Sequence, residues 1–183
     1  MIKILGIAGS LRKGSFNRAA LKAAQDLVPD NVTLDIFDSL NEIPPYNQDL
    51  ENNIPESVVQ LKAAIKGADA ILFVTPEYNY SVPGVLKNAI DWASRPYGES
   101  AWEGKPVAIM GASSGMLGSA RAQYHLRQIL VFLNMHPLNR PEVMIPKVQE
   151  KFDDQGNLTD PQTKEKITQL IVSLVDWTKR LSS

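Results

Sequence analysis

The sequence predicts an α/β fold in which a doubly wound, five-stranded parallel sheet carries helices on both faces. The first observation is that short apolar runs alternate with amphipathic helical segments along the whole chain. Strands that alternate with helices at this pace imply right-handed crossovers and therefore a parallel sheet. The second observation is that no repeat, low-complexity tract or linker interrupts the 183 residues. We therefore expect one domain spanning residues 1–183.

The first strands and helix can be assigned from the N-terminal quarter of the chain. The apolar run "IKILGIAG" ends at glycine and predicts a strand, and "SFNRAALKAAQDLVP" then has helical spacing until Pro29. Residues 32–37, "VTLDIF", alternate as a strand does. The polar stretch 38–55 carries Pro44 and Pro45 and is predicted to be a loop.

The next elements continue the alternation. Residues 56–67 have the apolar spacing of a helix, and "ADAILFVT" is predicted to be a buried strand. A further helix has Pro83 near its first position, with Ser81 as the predicted N-cap. "KPVAIMGA" predicts a fourth strand, and residues 118–134 a fourth helix.

The last two elements are a short strand and a long helix. Prolines confine the fifth strand to "PEVMIP". The final helix opens with Asp160 and Pro161, and its apolar residues recur at helical spacing as far as Leu181.

Composition excludes several function classes. Lys and Arg together number 19 against 20 Asp and Glu, so no strong net charge favours a nucleic acid or a membrane as partner. The chain contains no cysteine, which excludes disulfides, cysteine-based metal or iron–sulfur sites and a thiol nucleophile. No stretch has the length of a membrane span or of a signal peptide. We expect a cytoplasmic protein.

Three loops leave the carboxyl ends of the predicted strands, where ligands bind in doubly wound sheets. These loops are residues 9–16, 76–81 and 113–117. The first, "GSLRKGSFNR", has glycines and small polar residues that suit a phosphate at a helix start. It lacks the lysine of a nucleoside triphosphate loop, since Ser15 follows Gly14, and it has Leu11 where a dinucleotide-binding turn needs glycine. A phospho-accepting receiver domain would need acids after the first strand and an Asp at the end of the third, whereas this chain has Gly9-Ser10 and Thr75-Pro76 there.

The chemistry that remains for the first loop is a monophosphate site. The hydroxyls of Ser10 and Ser15, the amide of Asn17 and the charge of Arg12 would surround the phosphate at the positive end of a helix. A structural alternative stays open, in which Ser15 only caps the helix and Arg12 is solvated.

The third loop contains "GASSG", which matches the Gly-x-Ser-x-Gly pattern of a hydrolase nucleophile. A hydrolase would also need an acid and then a histidine, but residues 105–140 contain no Asp or Glu. We interpret His125 and His136 as residues that pack against or cap the helix. The sequence therefore predicts no catalytic triad, no catalytic side chain and no metal site.

Two of the loops together resemble a known family. "GSLRKGSFNR" and "PEYNYSVPGVLKNAIDWAS", each at the end of a predicted strand, look like the NADPH-dependent FMN reductase family. The likeness extends through "YNQDLE" and "YHLRQIL" to the last helix. The resemblance implies a flavodoxin-like fold and an activity among the quinone, azo and chromate reductases.

The resemblance also implies the residues that contact FMN. Those around the phosphate would be Ser10, Arg12, Ser15, Phe16 and Asn17. Those along one side of the isoalloxazine, mostly through their main chain, would be Pro76, Glu77, Tyr78 and Asn79. The other side would be closed by Ser113, Ser114 and Gly115, although Met116 and Ser119 stand where the family usually has glycine. Without the resemblance, ordinary turn and core packing would explain the tyrosines.

The implied reaction uses the cofactor rather than a side chain. NADPH or NADH would pass a hydride to the flavin N5, and a small-molecule electron acceptor would then take two electrons at the same face, in ping-pong turnover. Candidate acceptors are quinones, azo compounds, chromate and free flavin. Two alternatives stay open: a flavodoxin-type electron carrier, which the near-neutral charge disfavours, and a flavin-based redox sensor.

Family likeness further suggests a homodimer or homotetramer. The candidate contacts are the loop 38–55 and the helix around Tyr124. Four basic residues without an intervening acid would attract NADPH phosphates, lie in a subunit contact or form a solvated face: Lys105, Arg121, Arg127 and Arg140.

Overall fold

The computed structural model describes residues 1–182, which form parallel strands flanked by α-helices. The strands are β1 (Ile2–Ala8), β2 (Val32–Phe37), β3 (Ala70–Val74), β4 (Pro106–Ala112), β5 (His136–Pro137) and β6 (Val143–Ile145). The helices are α1 (Phe16–Asp26), α2 (Glu56–Gly67), α3 (Gly84–Ala93), α4 (Ala120–Phe132) and α5 (Pro161–Leu181).

The sheet has the order β2-β1-β3-β4-β5, and every pairing is parallel. The winding reverses between β1 and β3, which are adjacent in register with Ile4 opposite Ala70. At their carboxyl ends the Gly9 N–H donates to the Val74 carbonyl oxygen at 2.9 Å. The doubly wound parallel sheet predicted from the alternation is therefore confirmed, and its switch point lies between the first and second of the three loops.

The fifth position of the sheet is shared by two short strands. β6 pairs with Met110–Ala112 and corresponds to the predicted strand in "PEVMIP". β5 pairs with Pro106 and Val107, and the sequence analysis missed it. A strand of two residues is too short to show a periodicity in the sequence. Pro137 also has no N–H to donate, which makes a strand at this position harder to predict. The assignment of His136 to a helix end was wrong, because its N–H donates to the Lys105 carbonyl oxygen in this strand.

Both faces of the sheet are buried, which explains why the strands are apolar throughout. Along β3 the alternate residues Ala70, Leu72 and Val74 belong to the core beneath α1 and α5. Ile71 and Phe73 belong to the opposite core, which α2, α3 and α4 cover. The three-layer arrangement leaves the loops at the carboxyl edge as the place where a ligand can enter.

The predicted loop 38–55 contains two short 3-10 helices and is anchored on α3. The Pro44 carbonyl oxygen accepts hydrogen bonds from Asn88 Nδ2 at 2.9 Å and Trp92 Nε1 at 2.8 Å. The Tyr46 N–H donates in turn to Asn88 Oδ1 at 2.7 Å. Asn88 and Trp92 of the motif "KNAIDW" therefore hold the loop 38–55 against α3 rather than contacting a ligand.

Two predicted helix starts differ from the structure. α3 begins at Gly84 after Pro83, so the predicted N-cap at Ser81 was wrong. α4 begins at Ala120 rather than 118, because Gly118 and Ser119 both have left-handed backbone conformations, with φ of 53° and 68°. A Cβ at Gly118 would lie 2.6 Å from the backbone nitrogen of Ile145, so β6 can pass this turn only if the residue is glycine.

Candidate functional site

The first loop leads into α1 through a serine N-cap. Ser15 Oγ accepts from the N–H groups of Asn17 at 3.2 Å and Arg18 at 3.4 Å. The capping role is therefore present, and the hydroxyl hydrogen of Ser15 remains to be donated. Ser10 is buried, and its Oγ accepts from the Arg12 N–H at 3.4 Å. The loop thus presents two hydroxyls at the positive end of α1.

Asn17 connects the first loop with the end of β4. Its Nδ2 donates to the Ala112 carbonyl oxygen at 2.9 Å, and its Oδ1 accepts from the Ala112 N–H at 2.9 Å. The side chain is 4% exposed, so one N–H of the carboxamide is what remains for another acceptor. The sequence analysis placed Asn17 at the phosphate and missed this structural bond, for which the sequence holds no local signal.

Arg12 extends into solvent beside the loop. Its guanidinium carbon lies 5.8 Å from the ring centroid of Phe16, and that ring packs against Phe152 with centroids 5.5 Å apart. The first turn of α1 carries no acidic residue that would oppose an anion there. The charge of Arg12 is therefore available at the helix N-terminus.

The second loop is a tight turn with an unusual backbone. Tyr78 and Ser81 exchange backbone hydrogen bonds of 3.1 and 3.0 Å. The two residues between them, Asn79 and Tyr80, have φ of 51° and 67°. Asparagine adopts this conformation readily, but for tyrosine it costs roughly 1 kcal/mol or more. Strain of this kind is retained mainly at functional turns.

The turn lies against the first loop. The Tyr78 hydroxyl is 3.4 Å from Ser10 Oγ, within hydrogen-bond distance. Gly9 allows a close approach here, because a Cβ at this position would lie 3.4 Å from Pro76 Cδ and 3.1 Å from Leu86 Cδ2. The two motifs are therefore in contact across the switch point, through residues that are 68 positions apart in the sequence.

Glu77 is directed away from the turn and caps α4. Its carboxylate pairs with the Arg121 guanidinium and accepts from the N–H groups of Arg121 at 3.0 Å and Ala122 at 3.3 Å. The hydrogen bond to this carboxylate raises the pKa of Arg121 above its ordinary value. Arg121 also stacks on Tyr80, with its guanidinium carbon 3.6 Å from the ring centroid. Arg121 lies in the first turn of α4, where a cation is unfavourable beside the positive end of the helix. This position is the sequence signal that could have indicated an acidic partner such as Glu77.

The third loop is hydrogen-bonded to β6 and to the residues directly after β6. The Ser113 N–H donates to the Ile145 carbonyl oxygen at 3.0 Å, and the carbonyl oxygens of Ser113 and Gly115 accept from Val148 at 3.3 Å and Lys147 at 3.2 Å. Ser114 is exposed. The Ser113 hydroxyl is 3.4 Å from the Gly115 carbonyl oxygen, to which it can donate.

Large apolar side chains remain exposed around the three loops. Tyr80 is 65% exposed and Met116 69% exposed. Leu11, Tyr78 and Leu117 are also exposed. Exposed apolar groups that gather at a switch point are typical of a ligand site, because a flat ligand would remove them from water.

The histidines and the basic residues do not form a catalytic or anion-binding group. His125 Nδ1 is 3.0 Å from Ser81 Oγ, which links α4 to the second loop. Lys105 donates to the Ala68 carbonyl oxygen, and burial lowers its pKa. Arg127 donates to the Leu138 carbonyl oxygen at 3.1 Å. With Arg121 held by Glu77, three of the four basic residues serve local structure instead of a common patch.

Residues 1–182 contain neither a metal-binding cluster of side chains nor a membrane-spanning helix. Within this range no three or more His, Asp or Glu side chains are grouped so that they could hold a metal ion. None of the helices in the same range combines the length and the apolarity needed to cross a membrane.

A flavodoxin-like fold with hydroxyls, an arginine and an aromatic turn at its switch point defines this protein as a flavoprotein of the doubly wound class. Residues 2–150 match the model of a family described as NADPH-dependent FMN reductase. The chain belongs to this family, and it is an NAD(P)H-dependent oxidoreductase of the FMN reductase type.

Individual relatives agree with that membership. An NAD(P)H-dependent FMN reductase of Pseudomonas aeruginosa is 55% identical over 181 residues, covering 98% of this chain and 97% of the relative. A 2-hydroxy-1,4-benzoquinone reductase of Burkholderia sp is 41% identical over 178 residues, covering 97% of each. The solved structure of FerB, a flavoenzyme NAD(P)H:(acceptor) oxidoreductase from Paracoccus denitrificans, superposes with a TM-score of 0.91 at 38% identity and covers 98% of both chains.

Proposed function

We propose that this protein is an FMN-dependent NAD(P)H:quinone oxidoreductase whose chain is a single flavin-binding domain. The observation that carries the proposal is the contact between the two motif loops, with the Tyr78 hydroxyl 3.4 Å from Ser10 Oγ. One loop offers a phosphate site and the other an exposed aromatic turn, which are the two parts that FMN needs.

The phosphate is assigned to the first loop. Ser10 and Ser15 would donate their hydroxyls, Asn17 its remaining amide N–H, Arg12 its charge and Phe16 its backbone N–H. Support comes from the position of these groups at the N-terminus of α1, whose first turn contains no acid.

The isoalloxazine is assigned to the space between the second and third loops. Pro76, Glu77, Tyr78 and Asn79 would line one side and Ser113, Ser114 and Gly115 the other. Glu77 would contribute its main chain, because its carboxylate is engaged with α4. The exposed rings and Met116 are the apolar surface that such a ligand would cover.

Bound FMN supplies hydride chemistry between NAD(P)H and an oxidised acceptor. The chain's own part is to hold the second loop rigid, through Glu77 and Arg121, and to leave one ring face open. Donor and acceptor would use that open face in turn, so we expect ping-pong kinetics. The quinone class is supported by the reaction named for the relative from Burkholderia.

The test is steady-state turnover by the purified protein. A yellow protein that oxidises NADPH or NADH through many turnovers with a benzoquinone supports the proposal. Ping-pong order is supported if double-reciprocal plots of the initial rate against NADPH concentration stay parallel at different fixed quinone concentrations. A flavodoxin-type carrier or a flavin-based sensor would bind FMN but show no sustained turnover. A protein that neither contains FMN nor takes it up would refute the proposal.

We also propose a cytoplasmic homodimer or homotetramer. Support comes from the solvent face of α4, where Tyr124, Val131 and Phe132 are exposed, the last two by more than 70%. The loop 38–55 is a second candidate contact. Light scattering after gel filtration measures the mass, and a monomer at micromolar concentration would refute this part.

A further inference from the structure

A cavity of about 830 Å³ lies beside the first loop and outside the other two. Besides the first loop, three segments line it. They are the polar face of α1, the end of β2 at Ile36 and Asp38, and the turn that spans residues 152–156. The proposed isoalloxazine contacts at 76–79 and 113–115 are not among its lining residues.

The cavity adjoins the proposed phosphate site, because Ser15 and Phe16 belong to both. A flavin phosphate held by Ser15 and Phe16 would therefore border the cavity, whereas the proposed ring contacts lie on the other two loops. FAD differs from FMN by an adenosine phosphate joined to that same phosphate. Such an extension would need space next to the first loop, and the cavity is a space of that kind.

Two of the charged groups that line the cavity suit a second phosphate, although Asp153 and Asp154 line it as well. Lys13 and Lys22 line it, and among the described residues neither has an acidic side chain within salt-bridge distance. Arg18, by contrast, is paired with Asp38 at 2.9 Å. The cations that remain available are therefore the two lysines, and Lys22 lies almost two helical turns beyond the N-cap Ser15.

The rest of the lining suits a nucleoside. The ring of Phe16 packs against Phe152, with centroids 5.5 Å apart, and gives the cavity an aromatic wall. Asp154 and Gln149 add hydrogen-bonding groups of the kind that ribose hydroxyls and an adenine edge require. Aromatic contact combined with a few polar groups is the usual composition of a nucleotide pocket.

We propose that this cavity receives the adenosine phosphate half of FAD, so that the protein accepts FAD as well as FMN. The inference rests on the proposed flavin phosphate site. It adds a second cofactor and assigns a role to Lys22, which has no part in the contacts proposed for FMN.

The experiment is a titration of flavin-free protein with FMN, FAD and riboflavin, followed by quenching of flavin fluorescence and by calorimetry. For the unmodified chain we expect the dissociation constant of FAD to lie within about tenfold of that of FMN. Lys22→Glu is expected to weaken FAD by about tenfold or more and to change FMN by less than about twofold, since it removes a charge-assisted contact only from the longer ligand. Lys164→Glu, an exposed lysine of α5, is the matched control and is expected to change neither.

The outcomes separate the two proposals. Uptake of FMN together with failure to take up FAD overturns the inference and leaves the proposed function intact. Equal binding of FAD by the Lys22→Glu variant and the unmodified chain also overturns the inference. If neither flavin binds, the proposed function falls as well. Thermal denaturation followed by circular dichroism checks that each variant is folded.

Discussion

The carboxamide of Asn17 and the backbone of Ala112 form a reciprocal pair of hydrogen bonds, each 2.9 Å long. The pair joins the first turn of α1 to the end of β4 across the switch point. Both partners are buried, with Asn17 4% and Ala112 3% exposed. The residue that the sequence motif assigns to a ligand therefore also sets the spacing between the first and third loops.

Asn17→Ala is expected to lower the free energy of unfolding by about 2 kcal/mol or more, because it leaves the N–H and carbonyl of Ala112 unpaired in the interior. Urea denaturation measures the change. Asn157→Ala, in an exposed turn, is the control and should cost less than about 1 kcal/mol. An Asn17 variant as stable as the unmodified chain would show that water replaces the pair.

Arg12→Ala is expected to weaken FMN binding by about tenfold or more without changing the urea midpoint, because the side chain is exposed and its proposed partner is the phosphate. Fluorescence titration with FMN and with riboflavin separates the phosphate contribution from that of the ring. Arg140→Ala serves as the exposed control. Unchanged FMN affinity would count against the phosphate assignment.

Glu77→Ala is expected to destabilise the protein by about 1 kcal/mol, because it removes the acceptor that caps the N-terminus of α4. Without the carboxylate, Arg121 is no longer held over the Tyr80 ring. Turnover with a quinone should therefore fall even at temperatures at which the variant is fully folded. Thermal denaturation and initial rates are the two measurements. Glu165→Ala, on the exposed side of α5, is the control. If Glu77→Ala changed stability and left turnover intact, the turn would not depend on this anchor.

Gly111→Ala is expected to destabilise the protein by roughly 3 kcal/mol, because a Cβ would lie 1.9 Å from Ser119 Oγ and 2.3 Å from the Thr75 carbonyl oxygen. Gly67→Ala at the end of α2 is the matched control, since a Cβ there has no neighbour within 4 Å. The control should be neutral or slightly stabilising. Similar urea midpoints for the two variants would contradict the close approach of β4 to the start of α4.

Asp160 makes the stability of the folded protein depend on pH in the acidic range. Hydrogen bonds from Thr163 and Lys151 lower the pKa of this carboxyl from 3.8 to about 2. Because the folded-state value is depressed, the stabilisation is fully present above the ordinary pKa and is lost as the pH falls through about 2. Asp160→Asn keeps a capping side chain but no charge, so its loss of stability between pH 4 and pH 2 should be smaller. Urea midpoints across that interval measure the difference, and identical pH profiles would refute the assignment.

The sequence was informative where local chemistry decides structure. Apolar runs and helical spacing predicted the five sheet positions, and proline and serine marked the start of α5 and α1. The two loop motifs predicted the family, FMN and NAD(P)H, which the comparisons confirm. The individual FMN contacts stay predictions.

Tertiary packing decided the features that local patterns cannot show. Ser81 was predicted to cap α3, but it closes the Tyr78 turn, and α3 begins only after Pro83, whose ψ is 140°. The basic residues form one run along the chain, yet Lys105, Arg121 and Arg127 find their acceptors on three different segments. The cavity beside α1 exists only because the turn at 152–156 returns to Phe16.

By itself, therefore, the sequence determined the α/β alternation, the positions of the loops at the carboxyl edge of the sheet and the family, since each depends on residues close together in the chain. Only the tertiary structure decided which side chains are free to meet a ligand. Glu77 and Asn17 illustrate the physical reason, because a buried polar group must be paired, and its partner is supplied by whichever distant backbone the fold brings next to it.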